Sequence, residues 1–240
     1  MVEKETSLEK IKRLTSSQKN IRNVATSAHI HHGKCISGDS RVILADGIIR
    51  NAREIFEEVV KNGVIIEENE DHSVFSPKKT IEIFSLNKAT GRIEKKPIQH
   101  AWRLRGGSTI KTTLRNGFEI TTTLEHKYIV FRDGFEDVEA KDLKLGDRIV
   151  CPKNLDFFWK ERNTNPAEYD YIEIKNNRQI QLMKNSYSDL VFVDLVEISE
   201  GFEEIVYDFT IPENHNFIAE GMVIHNTAFT DVLLAAAGLM

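Results

Sequence analysis

Through most of the chain, apolar positions gather in short β-rich runs set between polar turns. These runs predict strands at Arg41-Leu44, Thr80-Leu86, Thr109-Leu114, Phe118-Thr123, Tyr128-Phe131 and Arg148-Val150. The same pattern continues at Leu190-Ile198, Ile205-Ile211 and Met222-Ile224. Turn formers separate the runs, among them Ala45-Asp46-Gly47, Ala89-Thr90-Gly91, Arg115-Asn116-Gly117 and Arg132-Asp133-Gly134. Only Asn51 to Lys61 reads as a helix within this region, with Asn62-Gly63 as its stop signal. The polar stretches Glu67 to Asp71 and Glu161 to Asp170 read as surface insertions. Many short strands joined by tight turns predict an all-β domain built as a barrel-like or strongly coiled sheet.

The two ends have a different texture. Residues 1–20 are charged, with helical spacing at Leu8, Ile11 and Leu14, and Asn20 to Ile30 reads as an apolar strand entering a loop. Thr227 to Met240 suits an amphipathic helix, with Phe229, Leu233, Ala236 and Ala237 on one face. Gly33-Lys34 resembles the end of a phosphate-binding loop, where Ser or Thr should follow at once, yet Cys35 follows. Removing Cys35 to Asn226 places Thr227 directly after Lys34 and yields Ala28-x-x-x-x-Gly33-Lys34-Thr227 between a strand and a helix. In such a loop, backbone N–H groups and the helix N-terminus hold phosphate, Lys34 neutralises charge and the Thr227 hydroxyl can ligate magnesium. The candidate phosphate-binding residues are therefore Ala28, His32, Gly33, Lys34 and Thr227, available only once the intervening segment is gone. An all-β insert thus interrupts short α/β flanks.

Residues 35–226 resemble an intein, a self-splicing element of the Hint fold, through four stretches in the family's order. They are Cys35-Ile36-Ser37-Gly38-Asp39-Ser40; Thr121 to His126, which holds the family's Thr-x-x-His as Thr123 and His126; Tyr207-Asp208-Phe209-Thr210 with His215-Asn216-Phe217; and Gly221 to Asn226, followed by Thr227. Lys141 to Asp147 supports the likeness. The resemblance implies a horseshoe-like all-β fold whose two ends meet centrally. It implies that Cys35 attacks the Lys34 carbonyl to form a thioester, aided by His126 at the departing nitrogen and by Thr123. The Thr227 hydroxyl then takes the acyl group, with Asp208 coordinating the first two steps. Asn226 closes a succinimide and cuts the bond to Thr227, assisted by His225 and by His215. No cofactor, metal or partner is implied, because every step is intramolecular. Related readings are a folded but inactive insert and a Hedgehog-type Hint domain that transfers its acyl group to a sterol. The latter has no need of the His225-Asn226 pair or of a following nucleophile.

The joined flanks resemble archaeal elongation factor 2, the translocation GTPase of the ribosome. The likeness rests on Asn20-Ile21-Arg22-Asn23, Ala28-His29-Ile30, His32-Gly33-Lys34, Thr227 and Leu233 to Gly238. It implies GTP and magnesium as cofactors of the complete host, and the ribosome as its partner. The family has Asp where His31 stands, and usually Thr-Leu where Ala228-Phe229 stand. Residues 1–34 and 227–240 together fall far short of a GTPase domain, so a fragment of the host is expected.

Composition narrows the remaining choices. The 240 residues are 40% hydrophobic and 29% charged with a formal charge of −5, which suits a soluble core and argues against a basic nucleic-acid surface. Two cysteines, Cys35 and Cys151, are too few for a disulfide framework, so a cytoplasmic setting is expected, and Cys151 receives no role. No apolar run approaches roughly 18 residues, so no membrane partner is expected. Leu155 to Ser188 reads as a remnant linker too short and too acidic for a DNA-cutting domain, making this a mini-intein with no DNA partner. The histidines of His29 to His32 could chelate zinc, but the phosphate loop accounts for them better.

Overall fold

The computed structural model describes residues 34–165 and 189–226, and these are dominated by strands. In chain order they are β1 (Ile36–Ser37), β2 (Arg41–Ile43), β3 (Ile49–Asn51), helix α1 (Ala52–Asn62), β4 (Val64–Glu68) and β5 (His72–Ser76). Next come β6 (Glu82–Asn87), β7 (Arg92–Pro97), β8 (His100–Leu114), β9 (Glu119–Thr123), β10 (Lys127–Phe131) and β11 (Phe135–Glu139). A 3-10 turn at Ala140–Asp142 leads to β12 (Arg148–Pro152), helix α2 (Asp156–Glu161), β13 (Leu190–Thr210), β14 (Asn216–Ala219) and β15 (Met222–His225).

Thirteen strands join one sheet in the order β3-β2-β14-β15-β10-β12-β13-β1-β9-β8-β5-β4, with β11 alongside β10, while β6 and β7 form a separate hairpin. The sheet depends on β13. Its first residues pair with β12 from Leu190 to Asp194, and its last pair with β1 at Val206 and Tyr207. Along most of its length it also pairs with β8, from Leu195 opposite Leu114 to Thr210 opposite His100, with a bulge between Leu195 and Glu197. Both ends of β13 are buried and its middle is largely exposed. The strand therefore leaves one part of the core and enters another.

Apolar side chains from both parts fill the interior. Ile36, Leu114, Phe118, Tyr128, Phe209, Phe217 and Ile224 belong to one buried cluster, and Ile129, Val150, Phe192 and Val223 to a second. Each fully buried phenylalanine contributes about 1.5–3 kcal/mol. Helix α1 begins where the Asn51 N–H donates to the Glu54 carboxylate at 3.1 Å, and it turns Ala52, Ile55, Phe56 and Val59 inward.

Several expectations change. The expected strands Leu190-Ile198 and Ile205-Ile211 are parts of one strand ending at Thr210, because β8 pairs with the intervening stretch from Ser199 to Glu203. β8 in turn begins at His100, well before the expected Thr109. Its Gly106 is a point of close approach, since a Cβ there would lie 2.1 Å from the Glu203 carbonyl oxygen. The sequence Glu67 to Asp71 is not an insertion: it closes the β4–β5 hairpin, in which Glu67 and Glu68 pair with Val74 and Ser73. The expected linker begins with α2, whose Phe158 and Trp159 are buried against Phe118. Glu161, placed in a polar insertion, ends α2 and binds Arg41 at 2.8 Å. Residues 166–188 of the expected linker, and the helices and strand expected in the flanks, lie outside the described residues.

The β14–β15 hairpin turns at Glu220 and Gly221, both at positive φ (48° and 79°). A Cβ on Gly221 would meet the Phe118 ring at 2.5 Å, whereas Gly47, at φ 89°, has nothing within 4 Å. Urea denaturation of the chain carrying both Cys35→Ala and Asn226→Ala, which keeps it in one piece, separates the two effects. Gly47→Ala should cost about 1 kcal/mol from backbone conformation alone. Gly221→Ala should cost roughly 2–4 kcal/mol, because overpacking against Phe118 adds about 1–3 kcal/mol.

Candidate active site

The first part of the site surrounds the Lys34–Cys35 peptide bond. Cys35 lies just ahead of β1, which is held between β9 and β13, and it is buried. Thr123, the last residue of β9, grips its backbone. The Cys35 N–H donates to Thr123 Oγ1 at 3.1 Å, the Thr123 N–H donates to the Cys35 carbonyl at 3.0 Å, and the Thr123 hydroxyl lies 3.4 Å from that same oxygen. The chain then makes a tight turn in which the His126 N–H donates to the Thr123 carbonyl at 3.1 Å. This turn explains the Thr-x-x-His spacing: three residues bring the imidazole back over the peptide that the threonine holds.

His126 is fully buried, and neither ring nitrogen has a hydrogen-bond partner. Burial pushes it down to about 3, against the Lys34 and Cys35 backbone groups, which favour its charged form. The imidazole is therefore neutral at physiological pH. Beneath it, Tyr128 packs edge-on at 5.8 Å, with its hydroxyl 3.1 Å from those of Thr112 and Thr122. Burial, and secondarily the charge of Asp208, raise the Cys35 thiol well above its ordinary range. Asp208 is buried near the end of β13, opposite Trp102, where its Oδ1 accepts the Phe209 N–H at 2.8 Å. Lys34 is half-buried, and its pKa is lowered by burial and by Lys127, while Asp208, Asp137 and Glu139 oppose the shift.

The second part lies at the end of β15. The Asn226 N–H donates to the His215 carbonyl at 3.1 Å and Nδ2 donates to the Ile211 carbonyl at 3.3 Å, leaving Oδ1 buried without a partner. His215 occupies the left-handed region at φ 51°, ahead of β14, with a buried, unpartnered Nδ1. His225 places Nε2 2.9 Å from Asp137 Oδ2 and 3.2 Å from Lys88 Nζ, and its Nδ1 is likewise buried and unpartnered. Burial lowers His225, with Asp137 pulling the other way. His225 also bears electrostatically on His126, and Lys34 bears on both, so the two parts share one electrostatic environment.

The structure thus gathers Lys34, Cys35, Thr123, His126 and Asp208 at one bond and His215, His225 and Asn226 at the other. Thr227, Ala28, His32 and Gly33 lie outside the described residues, as do the other histidines of the His29 to His32 run. Among the described residues, no group of three His, Cys, Asp or Glu side chains is placed to hold a metal. Cys151 is buried, and burial raises its thiol strongly. Sequence reasoning missed Asp137 and Lys88. It also gave no role to Asn216, whose buried amide donates to the Leu86 carbonyl at 2.8 Å and accepts the Leu86 N–H at 2.7 Å, tying β14 to β6. The motif His215-Asn216-Phe217 already contained this asparagine; Asp137 and Lys88 carried no comparable signal.

These arrangements match a known family. The intein splicing domain profile matches residues 42–226. Elongation factor 2 of Methanopyrus kandleri is 36% identical over 157 residues, covering 65% of this chain and 12% of that protein. The chain spans 12–26% of the length of the first three curated relatives it matches. Among solved structures, the TvoVMA intein aligns with a TM-score of 0.62 at 23% identity, covering 80% of this chain and 98% of its own. The PabCDC21-1 intein aligns with a TM-score of 0.61 at 20% identity, covering 81% of this chain and 99% of its own. The chain belongs to the intein splicing domains, and its activity is autocatalytic protein splicing.

Proposed function

We propose that residues 35–226 excise themselves and join Lys34 to Thr227, with residues 1–34 and 227–240 as the host segments. The support comes chiefly from the grip of Thr123 on the Cys35 peptide, 3.1 Å from the nitrogen that must become a leaving group. In the first step Cys35 Sγ attacks the Lys34 carbonyl carbon, the Lys34–Cys35 C–N bond breaks, and the thiol proton ends on the freed amine. A suppressed thiol needs a base, and a neutral buried imidazole can take that proton and pass it to nitrogen. His126 is thus a relay, not a pre-charged acid. Asp208, close enough to influence the thiol, assists this step and the next. In the second step the Thr227 hydroxyl attacks the thioester, the C–S bond breaks, and the thiol regains a proton.

Asn226 then releases the insert. Nδ2 attacks the residue's own carbonyl carbon, the Asn226–Thr227 C–N bond breaks, and a proton from Nδ2 ends on the Thr227 amine through His225. The reacting atoms share one residue, so little entropy is lost in bringing them together. His215 holds the Asn226 N–H through its carbonyl and activates the side-chain amide. The Thr227 amine finally displaces its own ester oxygen, giving the Lys34–Thr227 amide. Each step exchanges bonds within one chain, so splicing needs no cofactor or partner. Joining restores the phosphate loop of Ala28, His32, Gly33, Lys34 and Thr227 in a relative of elongation factor 2. That complete host would bind GTP, hold magnesium through Thr227 and work on the ribosome in the cytoplasm.

Expression of the chain with single substitutions separates the steps by mass spectrometry. Cys35→Ala should abolish joining yet still release residues 227–240, and Asn226→Ala should abolish release yet still allow an added thiol to cut after Lys34. Joined product from either variant would contradict the assignment. The neutral His126 also predicts a pH profile. Thiol-induced cleavage after Lys34, corrected for ionisation of the added thiol, should show no inflection near 6.5, with loss from His126 protonation only as pH falls toward about 3. An inflection near the ordinary histidine value would contradict the relay.

A further inference from the structure

The face of His225 turned away from its main chain meets charges that the splicing motifs do not include. Asp137, on β11, extends Oδ2 to 2.9 Å from His225 Nε2, and its Oδ1 lies 2.6 Å from Lys88 Nζ in the β6–β7 turn. Lys88 Nζ also lies 3.2 Å from Nε2, so the hydrogen on that nitrogen must be assigned. An ionised carboxylate only accepts. An unprotonated Nε2 would set two lone pairs facing each other at 2.9 Å, so Nε2 carries the hydrogen and donates it to Asp137. Burial works against ionisation of Asp137, but the bonds and charges of His225 and Lys88 prevail and hold it well below the usual carboxylate range.

We propose that Asp137 is a positioning residue for asparagine cyclisation: braced by Lys88, it fixes the His225 tautomer and leaves the buried Nδ1 to exchange the proton at the Asn226–Thr227 bond. This rests on the cleavage role given to His225 above. Nδ1 takes a proton from Asn226 Nδ2 as the ring closes, and the imidazolium so formed gives it to the Thr227 nitrogen as the C–N bond breaks, leaving the neutral imidazole. The charges bearing on His225 come from several elements: Asp137 on β11, Lys88 in the β6–β7 turn, Lys34 ahead of β1 and His126 after β9. Asp137 is the carboxylate in direct contact, and it favours the imidazolium on which proton delivery depends. The arrangement follows the general rule that a histidine exchanging protons at one nitrogen is oriented through the other.

The test uses the full chain in two backgrounds. Cys35→Ala isolates cleavage before Thr227, and Asn226→Ala isolates thiol-induced cleavage after Lys34. In the first, Asp137→Asn should slow cleavage about 10- to 100-fold, because an amide can present its N–H to Nε2 and favour the wrong tautomer. The acid-side rise in rate should also move to lower pH, because removing the carboxylate lowers the proton affinity of His225. Asp137→Glu should recover most of the rate and the original pH midpoint, and Lys88→Gln should cause a smaller loss in the same direction. In the second background, Asp137→Asn should leave cleavage after Lys34 within about twofold. Equal losses at both junctions, an unmoved pH midpoint, or unchanged cleavage in Asp137→Asn while His225→Ala abolishes it would overturn the proposal. Unchanged cleavage in His225→Ala as well would overturn the underlying role of His225.

Discussion

The antiparallel pairing of β13 with β8 is the constraint from which the rest of the site follows. Over Leu195 to Thr210 the two strands exchange backbone hydrogen bonds even where their side chains face water, so an extended polar stretch stays ordered without a core of its own. β13 thereby spans from β12, whose neighbour β10 pairs with β15, to β1. One end of it supplies the wall against which Cys35 enters the fold, and the other secures the strands that lead to Asn226. A loop between these elements would carry the same residues but would not hold them in a common electrostatic environment.

Within that frame the site is assembled from polar groups that the fold buries and leaves unsatisfied. Both nitrogens of His126, the Nδ1 atoms of His215 and His225, and Asn226 Oδ1 lack partners, and each such atom costs about 1–3 kcal/mol. A domain optimised only for stability would pair or exclude them. The Tyr128 hydroxyl just below, with two threonine partners at 3.1 Å, shows that the same core satisfies polar groups elsewhere. The resting charges are equally telling. The Cys35 thiol is protonated and His126 is neutral, so the reaction begins from uncharged groups in a dry interior and moves a proton internally. That economy of charge suits a reaction performed once, without solvent access.

Part of this arrangement is legible in the sequence. The Thr123-x-x-His126 spacing encodes a tight turn, and the turn alone places a hydroxyl and an imidazole on one peptide. Cys35 and Asn226 stood out as candidates because deleting the segment they bound leaves the sequence pattern of a phosphate loop. The short β-rich runs marked β2, β6, β9, β10, β12 and β15 but passed over β3, β4, β5, β7, β11 and β14, and the Asn51 to Lys61 helix was displaced by only one residue. What escaped notice depends on tertiary pairing. Ser199 to Glu204 has no apolar face, so its place in a strand is set by β8, whose Gly106 permits the close approach. Asp137 lies in a run, Phe135 to Glu139, whose charges look like a solvated face; only the fold brings it to His225 and Lys88. Phe158 and Trp159 looked like part of a polar linker because the residues after them are polar.

The central claim is that the two bonds are cut and rejoined within one chain, not merely hydrolysed side by side. Tandem mass spectrometry of the small product tests this most directly. The account predicts fragment ions that read continuously through Gly33-Lys34-Thr227-Ala228, with an ordinary amide between Lys34 and Thr227. Separate peptides ending in a free Lys34 carboxylate and beginning with a free Thr227 amine, with no joined species at any time, would contradict it.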